Sequence, residues 1–486
     1  MFPFQRVAWL RPRAGTQTRI LGLSLLVFLR FAWAADPSNQ AWPRFRGPGG
    51  SGVNPESEMP VHFGPSSNVV WRTELPGGNS SLCVWGNRIF LTAQTPEGVE
   101  TVCVDRLTGK VLWRRSLATA SSERGAGGNL ASSTPVTEGK RVYVYFGCVG
   151  LIAYTFEGQE IWRKPLPNPV TQHGVGTSPV LAGNRLLLNV DQDSGSYLLL
   201  VKSQSGETIW KTDRPGFRRG FGTPALWPPD RPSLAIVAGT LRAVGYDLKK
   251  GSEVWSQGGL PNELVASPVV GEELIFVGGW TPGAGVSTLP TFDSLLEAGD
   301  RDKDGRLSRD EAPPGPARQH FLYIDANKDG FVTREEWESL ASIFRQSENA
   351  LLALRPSAGG REVKVQWKYT HGLPYVPTPL CYRGRVYLVK NGGLVTCLAA
   401  DSGKELYREE RVGALGDYYA SPIAANGKVC LVSQPGVVVI LRAGDMLDVI
   451  ARNNLEEPIT ATPSVLDAKL YVRTKGHLYA FGEGGH

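Results

Sequence analysis

One short phrase recurs along this chain: Ser or Thr followed by Pro, an apolar run, a Gly turn, a second apolar run and a Trp. Seven copies begin at Thr134-Pro135, Ser178-Pro179, Thr223-Pro224, Ser267-Pro268, Thr378-Pro379, Ser421-Pro422 and Thr462-Pro463, and Ser81-Leu82 begins a degenerate eighth. Apart from one gap, successive prolines lie 41 to 45 residues apart, which fits four short strands and their turns. The sequence therefore predicts an all-β, eight-bladed β-propeller of four-stranded blades.

Within each copy, apolar residues alternate with others, as in Arg141 to Tyr145 and Lys469 to Val472. This alternation predicts strands with one buried face. The last strand of a copy carries a large side chain, which we expect to pack between neighbouring blades. These side chains are Trp113, Trp162, Trp210, Trp255 and Trp367, with Tyr407 and Ile450 as substitutes in two weaker copies.

The last copy ends near Phe481 without an outer strand, whereas Val69 to Arg72 forms an isolated strand pattern ahead of the first copy. We expect this N-terminal strand to complete the last blade. Such closure would leave only short, protected sheet edges.

The gap in the period runs from Pro268 to Pro379, a distance of 111 residues, or one blade plus about 60 to 70 residues. The extra segment should leave a hairpin of blade five, since surface turns tolerate insertions. The predicted division is residues 1–34 signal peptide, 35–68 N-terminal segment, 69–289 first part of the propeller, 290–346 insert, and 347–486 second part of the propeller.

The insert contains two complete EF-hand loop patterns, Asp300 to Glu311 and Asp325 to Glu336. Acidic or polar side chains at alternate positions, a Gly at position six and a Glu at position twelve suit a hard cation such as calcium. The sequence thus predicts two calcium ions. The predicted ligands are Asp300, Asp302, Asp304, Arg306 through its carbonyl, Ser308 and Glu311, and in the second loop Asp325, Asn327, Asp329, Phe331, Thr333 and Glu336.

Helix signals flank the loops, with an entering helix at 291–298, a middle helix at 317–324 and an exit helix at 335–344. Leu307 and Val332, at position eight of each loop, should pair the loops through a short two-stranded contact. Pro313, Pro314 and Pro316 shorten the helix after the first loop. A sensor opens paired helices to expose an apolar groove, so this short module favours a structural or docking role.

The first 34 residues combine four arginines within residues 1–19, the apolar stretch 20–29 and the small-residue pattern Ala32-Trp33-Ala34. These features predict a secretory signal peptide, and therefore a periplasmic or extracellular protein with no transmembrane segment after cleavage. The remaining positive charge is spread along the chain, which gives no reason to expect a nucleic-acid partner.

Six cysteines, Cys83, Cys103, Cys148, Cys381, Cys397 and Cys430, include no CxxC and no adjacent pair. Export would make disulfides chemically feasible. Their spacing argues against a zinc site, a thioredoxin-type site or a vicinal disulfide, and we expect them to act as small buried hydrophobic residues.

The Ser/Thr-Pro start, the Gly turn and the following Trp resemble the PQQ-like repeat propellers, over about residues 69 to 289 and 347 to 482. The stretch Trp42 to Gly47 also looks like an N-terminal motif of secreted bacterial members. This family includes quinoprotein dehydrogenases, which hold pyrroloquinoline quinone (PQQ) and calcium in the channel, and the BamB-like assembly scaffold. The dehydrogenases share an adjacent Cys-Cys disulfide that this chain lacks, which disfavours PQQ.

The resemblance therefore favours a non-enzymatic scaffold that binds another protein, with a PQQ-dependent or other oxidoreductase as the alternative. A small ligand would bind at the channel mouth, where segments lead into the inner strands. The candidate residues there are His173, Arg218, Arg219 and Asp417, together with Arg124, Asn129, Glu263, His371, Tyr375 and Tyr418. No nucleophile, base and orienting group stand out among them.

Overall fold

Each copy of the repeat folds into a four-stranded antiparallel sheet in a computed structural model that describes residues 41–119, 129–171, 173–285 and 289–483. Eight such sheets form the predicted propeller. The inner strands are Cys83–Trp85, Val136–Thr137, Val180–Ala182, Ala225–Trp227, Val269–Val270, Leu380–Tyr382, Ile423–Ala425 and Ser464–Leu466. The second strands are Arg88–Thr95, Arg141–Phe146, Arg185–Val190, Leu234–Gly239, Ile275–Gly279, Arg385–Lys390, Lys428–Val432 and Lys469–Arg473.

The third strands are Gly98–Asp105, Gly150–Thr155, Tyr197–Lys202, Arg242–Asp247, Ala350–Pro356, Leu394–Ala399, Val437–Arg442 and His477–Phe481. The outer strands of the first seven blades are Val111–Ala118, Glu160–Lys164, Thr208–Asp213, Glu253–Gly258, Val363–Tyr369, Glu405–Arg411 and Asp448–Asn454. Val69–Glu74 pairs antiparallel with His477–Phe481 as the outer strand of blade eight, which confirms the predicted closure.

The second strands correct one expectation. Five consecutive residues from Val142 to Phe146 are buried, so both faces of this strand are covered. Each blade lies between two others, and the neighbours cover both sides of its middle strands. Only the outer strands keep the alternating exposure of a one-sided sheet, as in Val111–Ala118.

The repeated Ser/Thr hydroxyls join all eight blades into a ring of hydrogen bonds. The hydroxyl of Thr134 accepts from the N–H of Ser81 at 3.0 Å, and the N–H of Thr134 donates to Ser178 at 3.0 Å. The pattern continues through every blade and closes where Thr462 N–H donates to Ser81 Oγ at 3.0 Å. The degenerate copy that begins at Ser81 thus keeps the hydroxyl that the ring requires.

We expect Thr134→Val to lower the free energy of unfolding by about 1 to 2 kcal/mol, because it leaves the buried Ser81 N–H unpaired. Thr208→Val, at an exposed outer-strand position, serves as the control. Urea denaturation of both variants measures the difference. Equal midpoints for the two variants would show that the ring adds nothing to stability.

The outer-strand aromatics pack between blades, as predicted. The indole N–H of Trp113 donates to the carbonyl of Phe156 in the next blade at 2.8 Å. Four other indoles make the equivalent bond at 2.9 to 3.3 Å: Trp71, Trp162, Trp210 and Trp367. A Cβ on Gly158, where φ is 82°, would lie 2.7 Å from the Trp113 ring, so the Gly turn lets the indole fit beneath it.

Ile450 does not take the aromatic position of blade seven. Every outer strand has a register shift that leaves one of its residues unpaired. In the blades with an aromatic side chain, that side chain belongs to the next residue, such as Trp113, which pairs with Cys103. In blade seven, Ile440 pairs with Ala451, so Ile450 is the extra residue of the bulge. Counting along the sequence could not show this one-residue offset.

The N-terminal segment lies in the channel beneath the hydroxyl ring. Ala41–Trp42 pairs with the inner strand of blade one, and Val53–Asn54 runs parallel to that of blade seven. Between them, Arg44 donates to the carbonyl of Pro224 at the start of blade four at 3.1 Å, and a 3-10 turn follows at Pro48–Gly50. Trp42 is fully buried, and Gly47 at φ 67° lies against its ring.

The insert leaves blade five after Gly279 and returns at Ala350, between the second and third strands. Its helices are α1 Phe292–Gly299, α2 Pro316–Gln319, α3 Phe321–Ile324 and α4 Arg334–Gln346. The predicted middle helix is therefore two short helices that meet at His320. Strands Leu307–Ser308 and Phe331–Val332 pair through Leu307 and Val332, as expected.

Candidate functional site

Each EF-hand loop begins where a short helix ends, α1 for the first loop and α3 for the second. Gly305 and Gly330, at position six, have φ of 77° and 88°. Side chains with a Cβ rarely adopt this conformation, so Gly provides the sharp turn. Lys303 and Lys328, two residues earlier, also have positive φ, at 58° and 60°. The two loops therefore share one backbone shape.

Acidic side chains converge in the first loop. Carboxylate oxygens of Asp300, Asp302 and Asp304 lie within 4.8 Å of one another. Backbone N–H groups orient them: Gly305 donates to Asp300 at 3.1 Å, and Asp304 donates to Asp302 at 3.1 Å.

The second loop repeats this arrangement. Gly330 N–H donates to Asp325 at 3.1 Å, and Asp329 N–H donates to Asn327 at 2.9 Å. Equivalent bonds in two loops of different sequence indicate one shared binding geometry.

The aspartates at position one of the loops, Asp300 and Asp325, indicate whether the loops suit a cation. Asp300 Oδ1 and Asp325 Oδ1 are buried and have no hydrogen-bond partner among the described residues. A buried carboxylate oxygen without a partner is destabilising, whereas a hard cation at the centre of the loop would satisfy it. The residues present therefore fit calcium, which would supply positive charge that draws the loop oxygens together.

The twelfth-position glutamates close the loops. Glu311 accepts from the N–H and hydroxyl of Ser308 at 3.0 and 2.7 Å, and Glu336 accepts from those of Thr333 at 3.0 and 2.9 Å. The hydrogen bond from the Ser308 hydroxyl is the main cause that lowers the pKa of Glu311. This carboxylate is thus held ionised, as a cation ligand must be.

The insert has its own hydrophobic core, which includes Phe292, Leu307, Phe321, Val332 and Trp337. No described propeller residue belongs to that cluster. A separate core would allow the insert to loosen without unfolding the blades.

The insert nevertheless contacts the propeller through Tyr323. Arg218 donates to the Tyr323 carbonyl at 2.6 Å, and the Arg219 guanidinium lies 4.1 Å from the centre of the Tyr323 ring. Arg219 also pairs with Asp193 at 2.8 Å. Burial raises the pKa of Tyr323 to about 12, although both arginines act in the opposite direction. Arg218 and Arg219, which we predicted at the channel mouth, thus contact the insert.

The channel contains a cavity of about 410 Å³. Its wall includes the ring hydroxyls, and Phe45 of the N-terminal segment lies on it as well. His173, Glu263 and Tyr375 line this cavity, and the Tyr375 hydroxyl donates to Glu263 at 3.1 Å. Burial first, and then Glu263, raise the pKa of Tyr375. These three predicted residues therefore line one cavity, and two of them, Glu263 and Tyr375, are in contact.

Other candidates lie elsewhere. Asp417 accepts from Asn391 at 2.6 Å and is not on the cavity wall. Tyr418 is buried, and its hydroxyl donates to Ala414 at 2.8 Å. Tyr419 lines the cavity in its place. Asn129 and His371 are also absent from the described wall, and Arg124 lies outside the described residues.

Sequence reasoning missed Phe45, Phe221, Tyr419 and the ring hydroxyls as wall residues. The Ser/Thr-Pro phrase was a usable signal for the hydroxyls, because each copy places one at the same point of the ring. Nothing in the local sequence indicated that Phe45, which precedes the repeats by dozens of residues, would reach the channel.

All six cysteines are free in the structure, and four of them are fully buried: Cys83, Cys103, Cys397 and Cys430. Burial raises the pKa of the Cys103 and Cys397 thiols to about 12. No helix among the described residues is both long enough and apolar enough to cross a bilayer.

Two family profiles match the chain. The family described as outer membrane protein assembly factor BamB matches residues 98–280, and the EF hand family matches residues 292–311 and 319–341. No curated protein matches the chain by sequence.

Solved structures share the fold at low identity. BamB from Moraxella catarrhalis has a TM-score of 0.51 at 12% identity, with 86% of this chain and 99% of that chain covered. A europium-containing methanol dehydrogenase has 0.56 at 10%, with 91% and 98% covered. The quinohemoprotein alcohol dehydrogenase from Comamonas testosteroni has 0.55 at 11%, with 92% and 81% covered.

The structural likenesses show the fold alone, since scaffold and enzymes match equally well. The repeat phrase, the eight blades and the two family matches agree with one another. This chain is an eight-bladed β-propeller that resembles the BamB family over residues 98–280, with an EF-hand pair inserted in blade five.

Proposed function

We propose that this protein is an exported, calcium-binding scaffold that binds another protein through the face of the propeller that bears the insert. The single observation that carries the proposal is a set of exposed apolar side chains on that face. Trp280 is 42% exposed, Leu322 63% and Leu415 69%. Large apolar side chains exposed on one face of a soluble protein are typical of an interaction surface.

Topology places these side chains on one face. In a four-stranded antiparallel blade, the connection between strands two and three lies at the same end as the connection to the next blade. Trp280 and Leu322 belong to the first kind of connection in blade five, and Leu415 to the second kind between blades six and seven. We call this end the mouth face. Tyr375, in another connection of the second kind, packs edge-on against Trp280 with ring centres 6.0 Å apart.

Substitution on the mouth face tests the scaffold. We expect Trp280→Ser with Leu415→Ser to remove a protein that crosslinks to the wild-type chain in the exported fraction, because these side chains would form the apolar centre of the contact. Met446→Ser is the matched control, since Met446 is 81% exposed in a turn at the opposite end of blade seven. The same crosslinked partner with both variants would contradict the proposal.

The alternative, an oxidoreductase that uses the channel, draws support from Glu263 and Tyr375, a hydrogen-bonded polar pair on the wall of the channel cavity. Reconstitution with PQQ separates the two functions. The scaffold proposal expects no stable absorbance change and no dye reduction with alcohols or sugars. Tight quinone binding with turnover would contradict the scaffold proposal and support the oxidoreductase.

We further propose that two calcium ions bind, one in each loop, through the twelve ligands predicted from the sequence. Calcium would then stabilise the local folding of residues 290–346. Millimolar calcium outside the cell fills sites as weak as about 10⁻⁴ to 10⁻³ M. Export itself rests on the signal-peptide pattern of residues 1–34, which lie outside the described part of the chain.

A further inference from the structure

A second cavity, of about 310 Å³, lies where the insert meets the propeller. We call it the junction cleft. Its wall carries Arg219 from the propeller and Arg309, Arg318 and His320 from the insert, and Asp193 is the only acidic residue among the described residues that line it. The volume is at the lower end of the range for small-molecule sites, about 300 to 1,000 Å³.

The one acid is already neutralised. Asp193 Oδ1 lies 2.8 Å from Arg219 Nε, and both side chains are nearly inaccessible, at 5% and 7% exposed. Ion pairs this close and this buried are strongly coupled. Asp193 therefore leaves the charges of Arg309 and Arg318 uncompensated.

Arg309 and Arg318 form no ion pair with any acidic side chain in the described parts of the chain. Arg318 is oriented by neutral groups, since Nε donates to the carbonyl of Ala312 at 2.7 Å and Nη2 to that of Asp310 at 2.9 Å. These bonds fix the guanidinium without cancelling its charge. Two like charges on one cavity wall repel each other, and an anion bound between them would offset that repulsion.

The titration of His320 is consistent with a positive cleft. Burial lowers the pKa of His320 most, and electrostatic interaction with Arg219 and then with His173 lowers it further. No negative group contributes a counteracting effect on this imidazole.

We propose that the junction cleft binds a small molecule through a tetrahedral oxyanion group, a phosphate or sulfate ester, held by Arg309 and Arg318. Guanidinium groups donate parallel hydrogen bonds that match the oxygens of such groups. The ligand would contact the insert on one side and the Arg219 side of the propeller on the other. The site is distinct from the channel cavity and does not depend on the scaffold role.

Titration calorimetry with inorganic sulfate tests the proposal on the full-length, calcium-loaded protein, since sulfate stays soluble with millimolar calcium. We expect saturable binding that Arg309→Gln weakens about tenfold, as loss of one charge-assisted contact should. Arg309→Gln with Arg318→Gln should remove it. Arg345→Gln on α4, a solvent-exposed arginine 3.8 Å from Glu338, is the control and should bind as wild type.

Arg309→Gln alone keeps the test valid if Arg318→Gln disturbs the loop, because Arg309 has no side-chain hydrogen bond among the described residues. Vesicles of phosphatidylcholine with and without phosphatidylglycerol identify the source of the anion. Retention on the anionic vesicles that is lost in Arg309→Gln would assign a lipid headgroup, and sulfate binding without retention would assign a soluble molecule. No saturable sulfate binding, or equal binding by Arg309→Gln and Arg345→Gln, would overturn the proposal.

Discussion

Glu311→Gln combined with Glu336→Gln should abolish the two calcium-binding events that calorimetry of the wild-type protein is expected to record. Each substitution keeps the size of the side chain and removes the charge that completes its loop. The hydrogen bonds from Ser308 and Thr333 hold both carboxylates in place for a cation. We expect affinity at each site to fall by about 100-fold or more.

Glu338→Gln is the matched control. It lies two residues beyond Glu336 on α4, is exposed, and pairs only loosely with Arg345 at 3.8 Å. Calorimetry of this variant should show two sites of unchanged affinity. Unchanged heat release in the double variant would exclude both loops as calcium sites.

Calcium removal should affect the insert and spare the blades. Chelator would withdraw the calcium that we propose satisfies Asp300 Oδ1 and Asp325 Oδ1, and the insert core is separate from those of the propeller. Hydrogen exchange should therefore rise within the insert helices while the second and third strands of the blades stay protected. Simultaneous loss of protection in both parts would mean that they unfold as one unit.

Arg46→Ala should produce the largest loss of stability among single substitutions in the N-terminal segment. Arg46 is only 1% exposed. Its guanidinium donates to the carbonyls of Thr378, Pro379 and Pro422, at 2.9 to 3.3 Å, and so joins blades six and seven. Burial lowers its pKa to about 9, so it remains charged at neutral pH.

Truncation would leave these carbonyls unpaired and create a cavity under the hydroxyl ring. We expect the free energy of unfolding to fall by about 4 kcal/mol. Arg72→Ala, at an exposed position of an outer strand, should change it by less than about 0.5 kcal/mol. Matching urea midpoints for Arg46→Ala and Arg72→Ala would show that the segment is not a structural part of the channel.

Much of the fold could be predicted because its information is repeated or local. Eight copies of one phrase indicated eight blades, and the unpaired strand at Val69 indicated how the ring closes. An EF-hand loop is twelve consecutive residues, so its pattern is complete in the sequence. The sequence predicted Ile450 at the aromatic position of blade seven, whereas Ala451 occupies it. A bulge shifts strand pairing by one residue without changing composition, so counting residues could not show the offset.

The channel residues were harder to predict for a physical reason. Whether a connecting residue faces the cavity depends on backbone turns of a few residues. Tyr418 and Tyr419 illustrate this, since the first is buried against Ala414 and the second lines the cavity. Arg218 and Arg219 contact the insert because the carbonyl and the ring of Tyr323, more than a hundred residues away in sequence, lie next to them.

The sequence by itself determined the eight-bladed architecture, the place of the insert and the two EF-hand loops, because periodic and contiguous patterns indicate these features directly. Only the tertiary structure decided that the N-terminal segment lies in the channel, that the hydroxyls form a closed ring, and that the insert meets the propeller at a positive cleft. Each of these depends on groups distant in sequence that come together only after the blades have closed.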